Sequence, residues 1–172
     1  MYSIRSCPLP DNALLVRYLK AGGYTDCYMT EISGQISHAQ YVYAFYTSFV
    51  FKLERFILKW TVSKPSTDVQ AGQLAEGSTD KFAAWTVESR TDNQLLMSDF
   101  LGRTKSWLMV MHLDKRTRLY FGSAIVPKTN TRIGRSTIGF GLKVLVWFHK
   151  IYSVVLLWAT KSRLENSSGM KF

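Results

Sequence analysis

The chain has 172 residues, of which 47% are hydrophobic, 14% aromatic and 20% charged. That length suits one domain with a sizeable core, and the composition excludes a disordered chain. The net charge of +10 lies in the second half: residues 1–80 carry seven basic and seven acidic side chains, residues 81–172 fifteen and five.

A basic half can face an anionic partner, or can simply keep a folded protein in solution. Cys7 and Cys27 are the only cysteines. Two in a chain of this length do not make a disulfide framework, and neither has a histidine at metal-ligand spacing. No metal and no cofactor is therefore expected.

The chain begins MYSIRSCPLPDN, without the apolar core and cleavage site of a secretory signal, so a cytoplasmic location is expected. DNALLVRYLKAGG follows, a leader with one short helix or extended segment closed by Gly22 and Gly23. Residues 24–32 alternate as a strand, with Tyr24, Asp26, Tyr28 and Thr30 on one face and Cys27 and Met29 on the other. Ser37 and Gln40 have capping-box spacing and open an apolar helical region reaching about residue 62, with a bend near Thr47 and Ser48. In its second part Phe49, Leu53, Phe56 and Trp60 share a stripe, and Lys52, Arg55 and Lys59 another. Pro65 ends it, and residues 68–76 fit one more short helix stopped at Gly77.

Four strand-like runs then follow closely: FAAWTVESR, QLLMSDF, RTKSWLMVMHL and TRLYFGSAIV. The connections Thr91–Asn93, Leu101–Gly102 and Asp114–Arg116 are of hairpin length with turn-forming residues. Large apolar side chains occupy both faces of these runs, so the meander is either covered twice or curled round an interior. Residues 127–139 form a polar loop with Lys128, Arg132 and Arg135. A long helix from about Phe140 to Leu164 closes the core. Residues 140–160 could span a bilayer by length, but His149 and Lys150 sit near the centre and argue against it.

One α+β domain over residues 1–172 is expected, with a leader (1–23), a core (24–164) and a tail (165–172). Its sheet is a curved antiparallel one with helices on one face and a long C-terminal helix. Strand, helices, meander and final helix, over residues 24–164, resemble the element order of the helix-grip, or START/Bet v 1-like (SRPBCC), superfamily. That resemblance implies a cavity between sheet and C-terminal helix. The segments AFYTSFVFKLERFILKW, KPSTD, DKFAAWTVESR, QLLMSDFLGRTKSWLMV, TRLYFGSAIVP and FHKIYSVVLL also resemble an uncharacterised family of small bacterial proteins, which implies no activity, ligand or catalytic residue.

A cavity of that kind would be lined by Trp85, Met97, Trp107, Met109, Phe121, His149 and Tyr152. Glu88 and Arg90 alternate onto one strand face; with Asp99, Arg103, Lys105 and Ser106 they could cluster at one end of the sheet. Arg90 and Arg103 would then anchor an anionic group; the alternative is cross-strand salt bridging on a wet face. Ser123 is the polar member of an apolar face, beside Gly122, where a ligand, another backbone or a bulky neighbour such as Trp107 could approach. His149 lies a turn from Tyr152 and could serve acid/base chemistry or simply pack. Cys27 with His38 or His149 carries no nucleophile signature.

There is no phosphate loop and no dinucleotide fingerprint, and the basic loop lacks the aromatics of a nucleic-acid platform, so nucleic acid is not expected. Three readings are open: binding of a small apolar or amphipathic ligand, an enzyme in the same cavity with His149 or Glu88 as base, or docking through the apolar C-terminal helix. The partner in the third would be a second copy, as a homodimer, another protein, or an anionic membrane.

Overall fold

The computed structural model describes residues 3–53, 66–126 and 141–169, with side chains in the last stretch described for 150–167. The expected helical stripe members Arg55, Phe56, Lys59 and Trp60, the basic loop, and the side chain of His149 lie outside the described residues.

The order is β1 (Arg5–Ser6), α1 (Val16–Lys20), β2 (Tyr24–Ser33), α2 (His38–Tyr46), α3 (Asp68–Glu76), β3 (Lys81–Phe82), β4 (Trp85–Thr91), β5 (Gln94–Asp99), β6 (Thr104–Leu113), β7 (Arg116–Ile125) and α4 (Gly141–Gly169). A helical turn over residues 49–53 follows α2. The strands form one antiparallel sheet ordered β1-β2-β7-β6-β5-β4-β3. It is an α+β fold with the element order expected.

Local chemistry starts and stops these elements as the sequence leads one to expect. Ser37 Oγ accepts the Gln40 amide at 3.1 Å, and Gln40 Oε1 accepts the Ser37 amide at 2.8 Å. Thr67 and Gln70 repeat the reciprocal pair at the start of α3, and Gly77 ends α3 in the left-handed conformation with φ 82°. The β4–β5 and β6–β7 connections close tightly, pairing Thr91 with Gln94 and Leu113 with Arg116.

Both faces of the sheet are covered. On one, Tyr28, Leu95, Met97, Leu108, Leu119 and Phe121 meet α2, α3 and α4. Rings stack through this layer: Phe45 lies 5.0 Å from Phe121 and 5.1 Å from Tyr46, which is 4.8 Å from Phe51 and 5.1 Å from Phe82. On the other face, Met29, Leu96, Trp107, Met109 and Tyr120 lie under Leu9 to Tyr18 of the N-terminal segment.

Residues 1–23 were expected as a leader; much of this segment instead roofs the sheet's second face. Gln94, buried, ties it down. Its side chain accepts from the Leu14 amide (3.0 Å) and the Trp107 indole (2.9 Å) and donates to the Asn12 carbonyl (3.1 Å). Gly122 is needed beneath this roof, because a Cβ there would come within 2.9 Å of the Asp26 carbonyl and 3.0 Å of Leu15 and Trp107. The close neighbour foreseen beside Ser123 is thus taken at Gly122, by Trp107 and Leu15.

No helix among the described residues is long and apolar enough to cross a membrane.

Candidate functional site

The residues expected to line one cavity fall on two faces. Met97, Phe121, Trp85 and Tyr152 belong to the helix-covered layer, whereas Trp107 and Met109 belong to the layer under the N-terminal segment. A single pocket cannot be lined by both sets, because the sheet lies between them. The pattern of large residues on both strand faces reflects two covers.

The expected charged cluster is also divided. A register shift between Val87 and Ser89 places an extra residue in β4, so Glu88 and Arg90 leave the strand on opposite faces. Glu88 joins Lys105 (2.7 Å), Arg17 and Tyr18 on the N-terminal side. Burial raises the Glu88 carboxyl, but the hydrogen bonds from Lys105 and Tyr18 and the charges of Lys105 and Arg17 outweigh it and hold it below the ordinary glutamate range. It is an ionised clamp between α1 and the sheet.

Arg90 lies on the helix side and donates to the carbonyls of Leu74 (2.8 Å) and Thr79 (3.5 Å). Arg103 is exposed beyond the far end of β5, where its backbone amide donates to Asp99 Oδ1 at 2.7 Å. β5 therefore separates the two arginines by roughly 15 Å at about 3.4 Å per residue. Ser123 donates to Asp26 Oδ1 at 2.6 Å. Cys27 and His38 are held apart by the sheet, Cys27 under the N-terminal segment and His38 at the start of α2.

What the fold does assemble is a cleft of about 470 Å³ between the N-terminus of α2, the C-terminus of α3 and the end of β4, lined by His38, Ala39, Glu76, Arg90 and Asp92 among others. His38 is only 9% exposed. Its Nε2 is buried without a hydrogen-bond partner, and the Leu108 backbone acts on the ring in favour of its protonated form. Burial, reinforced by the Arg90 charge, depresses the imidazole to about 4. At neutral pH the ring is uncharged, with Nε2 left without a bond at a cost of about 1–3 kcal/mol.

The sequence offered little sign of this site. His38 follows a helix cap and is unremarkable until the topology brings Arg90 beside it from more than fifty residues away.

A second grouping escaped the sequence reading altogether. The β1–β2 pairing sets Cys7 opposite Cys27, with the Cys7 amide donating to the Cys27 carbonyl at 3.0 Å and the two sulfurs 3.4 Å apart. Both are free thiols and both line a cleft of about 490 Å³ at the open edge of β2. Near β1, Glu31 accepts from Arg118 (2.7 and 2.9 Å) and pairs with Arg116 (2.9 Å). The Arg118 hydrogen bonds lower the Glu31 carboxyl, against burial and with help from the charges of Arg116, Arg118 and Arg5.

Compared with family models, with curated proteins and with solved structures, the chain matches none of them. The sequence likeness to a family of small bacterial proteins therefore finds no counterpart among the family models, and the helix-grip likeness is one of architecture alone.

Proposed function

We propose that this protein is a binding module for a small organic ligand, seated in the cleft between α2, α3 and β4. The observation that carries this reading is His38, a neutral residue in the lining of the cleft whose buried Nε2 has no partner. A polar ligand group that hydrogen-bonds Nε2 would satisfy a buried ring nitrogen that otherwise has no partner. Arg90 spends part of its donor set on Leu74 and Thr79. Its remaining N–H groups suit a carbonyl or carboxylate oxygen on the same ligand.

The depressed pKa supports binding over catalysis. A general base works best with a pKa near the operating pH. A histidine titrating near 4 is a weak base at neutrality, but its neutral ring can hold a fixed hydrogen bond. The helix-grip order of elements supports a ligand-binding reading by analogy of fold, though the cleft lies beside α2 and α3 rather than beneath the C-terminal helix.

Native mass spectrometry of the purified protein should show a bound small molecule. Ala39→Trp, which fills the cleft, should release it with the melting temperature kept. Uniform apo mass, together with unshifted His38 ring resonances across a set of small hydroxy- and amide-bearing compounds, would refute the assignment.

A second reading rests on a different observation. Ile151, Val155 and Trp158 are exposed along α4, and Trp158 meets exposed Phe49 edge-on at 6.2 Å. With Lys150 exposed beside them and the whole +10 charge in the half that contains α4, this face fits an anionic membrane surface. Flotation with phosphatidylserine vesicles but not with neutral ones would support it; no flotation with either would exclude it.

A further inference from the structure

The two cysteines, twenty residues apart in sequence, are opposed across antiparallel strands at the edge of the sheet. Residues opposed in this way have Cα atoms about 4.5–5.5 Å apart, within the span of about 4.4–6.8 Å that a disulfide bridges without moving the backbone. The sulfurs are already in contact at 3.4 Å. Their surroundings are unequal. Cys7 is partly exposed and Cys27 is 3% exposed. Both reach the cleft at the β2 edge, whose walls mix Pro8, Leu9 and Leu19 with Tyr24 and Asp26.

We propose that Cys7 and Cys27 form an oxidisable dithiol that reacts with hydroperoxides, with Cys7 as the attacking sulfur and Cys27 as the resolving one. Its position suits each thiol to its part. The Cys27 thiol hydrogen-bonds Cys7, and this, aided by the nearby charges of Arg5 and Arg118, favours a thiolate there over the opposing effect of burial. Cys27 keeps its proton, held by that hydrogen bond, by burial and by the negative charge of Asp26.

In the first step the Cys7 thiolate attacks the terminal oxygen of ROOH. The O–O bond breaks, Cys7 becomes the sulfenic acid, and RO⁻ takes a proton from water to leave as ROH. In the second step the Cys27 sulfur attacks Cys7 Sγ. The S–O bond breaks, and the departing hydroxide takes the Cys27 proton to form water. Two thiols and one hydroperoxide thus give one disulfide, one alcohol and one water, the peroxide being the oxidant and the thiols the reductant. The new bond closes the loop that carries α1 and roofs the second face of the sheet.

The test needs no mutant to begin. Full-length reduced protein is treated with one equivalent of hydrogen peroxide or of cumene hydroperoxide, followed by thiol titration in denaturant and intact mass measurement. The expected result is loss of both thiols, an intact monomer mass lower by two hydrogens, and a melting temperature raised by about 5–10 °C through loop closure. Faster reaction with cumene hydroperoxide assigns the cleft to organic hydroperoxides, and faster reaction with hydrogen peroxide to the small oxidant. Cys27→Ser should accumulate a dimedone-reactive sulfenic acid at Cys7, whereas Cys7→Ser should leave Cys27 reduced. Two thiols surviving both oxidants, a disulfide only between molecules, or oxidation of Cys27 in Cys7→Ser as fast as in the parent would overturn the proposal.

Discussion

At the scale of single residues, the interior uses small and polar side chains in places where only one type serves. Gly122 lies where a methyl group would meet backbone and the Trp107 ring together. Neither neighbour is the free end of a flexible chain, so Gly122→Ala should cost about 1–3 kcal/mol in urea unfolding at neutral pH. His38 is a second such residue. Its ordinary value is 6.5 and its folded value about 4. The folded pKa is depressed, so its contribution is fully present above 6.5 and is lost as pH falls towards 4, where the unfolded chain takes up a proton that the native ring refuses. The loss amounts to about 3 kcal/mol over that window. Unfolding measured at pH 7 and pH 5 should show the decline, and His38→Phe should flatten it. Glu31 and Glu88 act lower on the scale: both are depressed, so their support persists above the ordinary glutamate value of 4.5 and fails as pH falls below it.

At the scale of elements, helix caps and turns were legible because they depend on neighbours three or four residues apart. The Ser37 box, the helix over residues 68–76 and the three hairpins of the meander all sit where local chemistry puts them. The bulge in β4 was not legible. One extra residue inverts the alternation after Val87, and nothing in Trp85–Thr91 announces it. That single register shift sends Glu88 to the N-terminal cover and Arg90 to the cleft. The β3–β4 turn holds another local exception, Ala83 at φ 53°. Ala83→Gly should stabilise the protein by about 0.5–1 kcal/mol, since glycine adopts that conformation without strain; thermal melting would read the gain.

At the scale of the whole molecule, the sheet is a middle layer, with α2, α3 and α4 on one side and the N-terminal segment on the other. The second cover is held by few groups: Gln94, the Glu88 clamp and the contacts around Leu15. Removing residues 1–18 should bare Trp107, Met109 and Tyr120, leading to dye binding and aggregation at concentrations where the full chain stays monodisperse. A truncated chain as soluble and as stable as the full one would contradict this layering.

The sequence by itself determined the α+β class, the order of elements, the helix starts and the close-set antiparallel strands, because periodicity, capping and turn chemistry act within a few residues. Which cover each strand face would meet, which side Glu88 and Arg90 would take, and the meetings of Cys7 with Cys27 and His38 with Arg90 were decided only by tertiary structure. Those contacts depend on strand register and layer order, and these are set by the packing of the whole core rather than by any local pattern.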